Sequence, residues 1–175
     1  NGSTGGEAPA AEEHVEGAAV TLAGSGSLVR TGATFLGWSQ TQNDLVTKAD
    51  EVAGAGITTS LTMPGADKTV YAVWAQDEDG DGTPDYDEDS YTLTYDGNGS
   101  TGGEAPAAEE HVEGAAVTLA GSGTLERTGA TFLGWSQIQS GLITTEEGAG
   151  EAGITTTLTM PGADETVYAV WAQDE

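Results

Sequence analysis

The sequence predicts a mainly β protein, two small modules in tandem with little or no helix. Three observations lead there. NGSTGGEAPAAEEHVEGAAVTLAGSG begins at Asn1 and recurs word for word at Asn98, and self-similarity at a fixed period marks repeat architectures. The segments between turn signals are short and rich in Val, Thr, Tyr and Trp, residues that suit a pleated, half-buried surface. Only residues 41–54 and 138–151 have room for a helical turn, and their Gly, Asn and Thr content speaks against even that.

The offset between the copies is 97 residues and runs without a gap to TVYAVWAQDE, found at 69–78 and 166–175. Aligning 1–78 on 98–175 leaves fifteen differences, eleven of them between 41 and 54. Such a concentration marks a loop whose side chains packing does not fix. The expected organisation is a first module over 1–76, an acidic linker over 77–89 and a second module over 90–175. SYTLTYDG (90–97) precedes the second copy, whereas the first copy opens just past the corresponding point. The chain therefore reads as a window on a longer tandem array, its first module lacking the opening strand. Supply of that strand by a neighbouring chain would need a spare one, and none follows Glu175.

Taken in order, YTLTY (91–95) alternates, with Tyr91, Leu93 and Tyr95 on one face. GAAVTLAG (114–121) does the same with Ala115, Val117 and Leu119, and ATFLGWSQ (130–137) precedes the variable loop. ITTTLTM (154–160) places Ile154, Leu158 and Met160 on one face and threonines on the other. TVYAVWA (166–172) is apolar on both faces, the pattern of a central strand. MPGAD (160–164) is turn chemistry before it. Phe132, Trp135, Tyr168 and Trp171, with Phe35, Trp38, Tyr71 and Trp74 in the first copy, are the candidate core.

TYDGNGS, GATFLGWS and LTMPGADETVYAVWA, in that order, resemble the Listeria–Bacteroides repeat, the internalin B-repeat type. The resemblance covers nearly all of 91–175 and, less the first strand, 1–75. It implies a small β-grasp-like module, used in tandem as stalk or adhesive segments of bacterial surface proteins. The middle segment departs from the pattern in being Gly/Thr-rich here.

The net charge of −25, with only four basic residues, excludes the Lys/Arg clusters on which nucleic-acid and anionic-lipid binding rest. Cysteine is absent, so no disulfide, thiolate metal site or thiol nucleophile is available. No apolar run approaches the ~20 residues that span a bilayer, and no membrane insertion is expected of this segment.

DEDGDGTPDYDED (77–89) carries eight carboxylates in thirteen residues. Its only apolar side chains are Pro84 and Tyr86, so it is not expected to join a hydrophobic core. Calcium takes six to eight oxygen ligands, best supplied from alternate loop residues with a glycine at the sharp turn. Counting Asp77 as position 1 puts Asp79 at 3, Asp81 at 5, Thr83 (backbone carbonyl) at 7, Asp85 at 9 and Glu88 at 12, with Gly82 at 6. Strands, not helices, flank it, so it is no EF-hand, and DEDGDGTPD resembles the calcium repeats of thrombospondin type 3. The competing reading is a solvated charged linker, but acidity alone does not produce the alternation or the placed glycine. Without an ion, repulsion should leave the run extended and mobile. Asp174 and Glu175 would begin the next such loop.

Asn1 and Asn98 open N-G-S sequons, and Asn-Gly is equally the preferred pair of a tight turn; the turn is the favoured reading. His14 and His111 find no further ligands at zinc spacing and read as exposed strand residues. No motif places a nucleophile beside its base, so an enzyme is not expected. The tryptophans could stack on sugars if exposed, but their place in the strands favours the core. A Lys–Asn staple is excluded from the second copy, since 98–175 contain no lysine.

The expected function is structural: an extracellular repeat protein of the cell surface or of a secreted filament, part of an adhesin stalk. Its partners would be neighbouring copies of the same repeat, and its cofactor calcium, stiffening the linkers. The alternative is a binding module in which the loops 41–54 and 138–151 contact a glycan or host protein.

Overall fold

The structure is a computed structural model that describes residues 1–174. It divides into two compact units, Asn1–Asp89 and Ser90–Glu175.

In unit 1, β1 (Ala19–Thr21), β2 (Ala33–Ser39), α1 (Ala49–Gly54), β3 (Ile57–Thr58), β4 (Ser60–Thr62) and β5 (Tyr71–Gln76) follow in order. They form a three-stranded sheet, β3-β2-β5, and a separate antiparallel ribbon, β1-β4, with Val20 opposite Leu61. One face of β5 packs Ala72 and Trp74 against Trp38, Phe35 and Leu28. Its other face sets Val73 and Ala75 against Val46, Ala55 and Val52 of the α1 segment.

Unit 2 continues with β6 (Ser90–Asp96), β7 (Glu109–Val112), β8 (Ala116–Thr118), β9 (Ala130–Ser136), α2 (Glu146–Glu151), β10 (Thr157–Thr159) and β11 (Glu165–Gln173). The sheet order is β7-β6-β11-β9, with β8-β10 a second ribbon. β6 lies parallel to β11, Leu93 opposite Glu165 and Tyr95 opposite Val167; the other pairs are antiparallel. β11 is thus interior, which is what a strand apolar on both faces requires. Val167, Ala169 and Trp171 meet Leu93, Tyr95, Val117, Leu158 and Met160, while Val170 meets Ile143 and Ala152. All four tryptophans are buried, and Trp135 and Trp171 donate their indole N–H to Ala120 O and Gly97 O.

The F-x-G-W glycine has a mechanical reason. β2 and β9 bulge against β5 and β11 beside it, and Gly37 and Gly134 sit at φ 147° and 150°. A Cβ there would lie 2.6 Å from Ile57 and 2.5 Å from Ile154, so no other residue fits.

The chain is mainly β, as expected, and the two variable loops each carry one short helix despite their composition. Burial against Val73 and Val170 overrides weak propensity there. Three expectations fail. Tyr168 and Tyr71 stay half-exposed, because the alternation of their strands sends Val167, Ala169 and Trp171 inward instead. Ile154 is exposed: Thr155 bridges Trp135 and the chain bends before β10, breaking the expected face. His14 lies outside any strand, although His111 lies on β7.

Candidate metal centre

The acidic run begins where β5 ends. Asp77 donates its N–H to Gly32 O and is only 3 % exposed, a buried carboxylate that demands partners. It has two: Oδ1 accepts from Gly80 N at 2.7 Å and Oδ2 from Gly82 N at 3.1 Å. Asp79 Oδ1 accepts from Asp81 N at 3.1 Å, and Asp81 Oδ1 from Thr83 N at 2.6 Å. Asp85 Oδ1 closes the loop on Glu78 N at 2.7 Å. These local carboxylate–amide bonds fold the run, contrary to the expectation of an extended segment. Gly80 and Gly82 take φ 76° and 96° with nothing within 4 Å of an added Cβ, so it is the left-handed turn, not space, that requires glycine.

Tyr86 corrects a second expectation. It sits in a 3-10 turn, Asp85–Asp87, and packs against the cluster of Val46, Ala55, Val73 and Ala75. The run's carboxylates stay clear of the core while its one aromatic side chain joins it. Burial, and then Asp87, push the Tyr86 hydroxyl pKa up. The signal for this was in the sequence: a tyrosine among eight carboxylates has no electrostatic purpose.

Of the six candidate ligands, Asp77, Asp79 and Asp81 come together, one carboxylate oxygen of each lying within 4.8 Å of the others. Thr83 is tied to them through its N–H. Asp85 and Glu88 stand outside that triad but within its field. Burial raises the Asp85 pKa first, with Glu78 and Asp79 adding repulsion against the Glu78 N–H bond. The Glu88 carboxyl is also raised, by burial first and then by Asp79, Asp81, Asp85 and Asp77. Its Oε2 is buried with no hydrogen-bond partner. A carboxylate oxygen kept from water beside four like charges is the donor set of a hard cation.

The other candidates resolve simply. Asn98 sits at φ 42°, and its amide nitrogen donates to Ser140 O and Ala169 O, both at 2.8 Å; the turn uses the group a glycan would take. Asn1 donates to Asn43 O. His14 and His111 pair with Glu12 and Glu109. Asp174 donates its N–H to Gly129 O as Asp77 does to Gly32, while Glu175 lies outside the described residues. No helix among the described residues is long and apolar enough to cross a membrane.

The sequence profile of the Listeria-Bacteroides repeat domain matches residues 1–73 and 91–170. Two proteins of Evansella cellulosilytica are also similar. One, provisionally named a Gly-rich membrane protein, is 30% identical over 169 residues, 95% of this chain and 17% of its own length. The other, provisionally named a membrane protein, is 32% identical over 148 residues, 83% of this chain and 18% of its own. The chain therefore spans less than a fifth of the curated relatives it matches. No solved structure matches it.

Proposed function

The chain belongs to the Listeria-Bacteroides repeat domain family through both of its copies, and from that premise we infer that its work is mechanical. It is an extracellular segment of a surface-associated repeat protein, adding length by copy number in a stalk or filament, without catalysis. The names of the Evansella proteins support attachment to a membrane-bound whole. Repeats that meet head to tail without closing on themselves are what build extended arrays.

The acidic run is the working part. Asp77, Asp79 and Asp81, with Asp85, Glu88 and the Thr83 carbonyl, would hold calcium, and the ion would cross-link one end of a module to the chain leading into the next. The observation that carries this is Glu88 Oε2, buried without a partner next to the aspartates. A cation supplies what that oxygen lacks and neutralises the repulsion that raises its pKa. At free calcium a hundredfold above the dissociation constant, the linkage gain is about 2.7 kcal/mol, enough to stiffen a short joint. Extracellular loops of this kind bind at roughly 10⁻⁴–10⁻³ M, which is adequate outside a cell.

Titration calorimetry tests the site: calcium should give a saturable heat that Asp79→Ala with Asp81→Ala removes. No heat in the parent chain would end the reading. A glycan-binding role for the loops 41–54 and 138–151 is the weaker reading, because each loop is committed to covering one face of its own sheet.

A further inference from the structure

Segments of nearly identical sequence take different structures in the two units. Residues 165–167 are strand and 68–70 are not; 109–112 form β7, while 12–15 form no strand. Val112 is 3 % exposed and its counterpart Val15 is 77 % exposed. Leu158, Met160 and Val167 are buried, but Leu61, Met63 and Val70 are half-exposed. Residue identity does not explain this, since across these positions the copies differ only at Lys68, which is Glu165 in the second. The difference is β6.

In unit 2, Leu93 is fully buried, and the Tyr95 ring meets Trp135 edge-on at 4.9 Å with its hydroxyl accepting from Ala120 N. In unit 1 the corresponding space is a groove of about 340 Å³, walled by Val20, Trp38, Leu61, Met63 and Val70. Along the same edge Val46 bridges Ala75, but among the described residues no strand pairs with 68–71.

We propose that this groove is an acceptor site for an extended polypeptide strand of pattern Tyr-x-Leu-x-Tyr. The strand lies parallel to residues 68–71, its leucine opposite Lys68 and its second tyrosine opposite Val70, with that ring on Trp38 and its hydroxyl on Ala23 N. Residues 12–15 then add the outer antiparallel strand and bury Val15. Main-chain bonds along the edge supply affinity, and the alternate large side chains supply selectivity. The occupant comes from outside residues 1–89 and is not β6 of a second copy. Moving Ser90–Asp96 across would open the same groove in unit 2, exchanging one set of pairings for another.

The test adds a synthetic peptide of residues 90–97, Ser-Tyr-Thr-Leu-Thr-Tyr-Asp-Gly, to the full chain and follows amide hydrogen exchange. Residues 12–15 and 69–71 should gain at least about tenfold protection while 109–112 stay unchanged, because a paired edge exchanges slowly. Val15→Asp alters a side chain that is exposed in the free protein, so the fold survives. It should weaken peptide binding at least about tenfold, the scale of losing one buried valine. Three results would each overturn the proposal: no added protection at millimolar peptide, equal protection from a peptide with aspartate for leucine, or chain dimers in place of a one-to-one complex.

Discussion

Glu88 is held in a position that costs the free protein and serves the bound one. Its raised pKa means that the fold favours the protonated form; this stability is present below the ordinary carboxylate range and is lost as pH rises through the raised value. At neutral pH the charge is therefore a burden. Glu88→Gln should raise the melting temperature in chelator and lower calcium affinity roughly tenfold, about 1.4 kcal/mol; thermal scans with and without calcium check both signs. Gly82→Ala should act the other way on the free loop, since a Cβ at φ 96° costs about 1–2 kcal/mol. Its calcium affinity should fall too, read by the same titration. Tyr95 offers a test remote from the acidic run. Burial holds its hydroxyl above the ordinary value of 10.0, with Glu109 adding to the rise. The stability this lends is complete below pH 10 and lost as pH climbs through the raised value, so melting temperature should drop between pH 9 and 11. Tyr95→Phe should flatten that drop in the near-ultraviolet circular dichroism melt.

The helices show two solutions to one problem. Thr145 precedes α2 and its hydroxyl accepts from Gly148 N, whereas Lys48, its counterpart before α1, offers no cap. There Glu51 reaches back to Thr47 N at 2.9 Å, which lowers its pKa. Lys48→Thr should complete a capping box and stabilise unit 1 by about 1 kcal/mol, measured by urea unfolding; an unchanged midpoint would refute the capping argument. Strand positions were readable from alternation: β6, β8, β9, β10 and β11 all fall within the segments that periodicity picks out, and the central place of β11 follows from its two apolar faces. β7 was not readable as a strand from its residues alone. EEHV has neither alternation nor β-formers, and it becomes a strand because β6 presents it an edge. Tyr168 and Ile154 were misplaced for a related reason, since a bulge and a bend decide which face a side chain takes.

For the molecule as a whole, a charge of −25 makes ionic conditions part of the structure. The acidic run could be recognised as a calcium template from spacing alone, because ligand alternation and the glycine at position 6 are sequence properties. Its anchoring through Tyr86 and the burial of Asp77 could not, because both depend on the end of β5 meeting the α1 segment. That anchoring makes the run an extension of unit 1, and the ion the means by which the extension becomes rigid. Small-angle scattering of the full chain, in calcium and in chelator at matched ionic strength so that screening is equal, decides the matter. Calcium should lengthen the maximum dimension and narrow the distance distribution, and Asp79→Ala with Asp81→Ala should abolish both changes. Identical profiles in calcium and chelator, at concentrations that saturate any measured heat, would contradict a rigid joint.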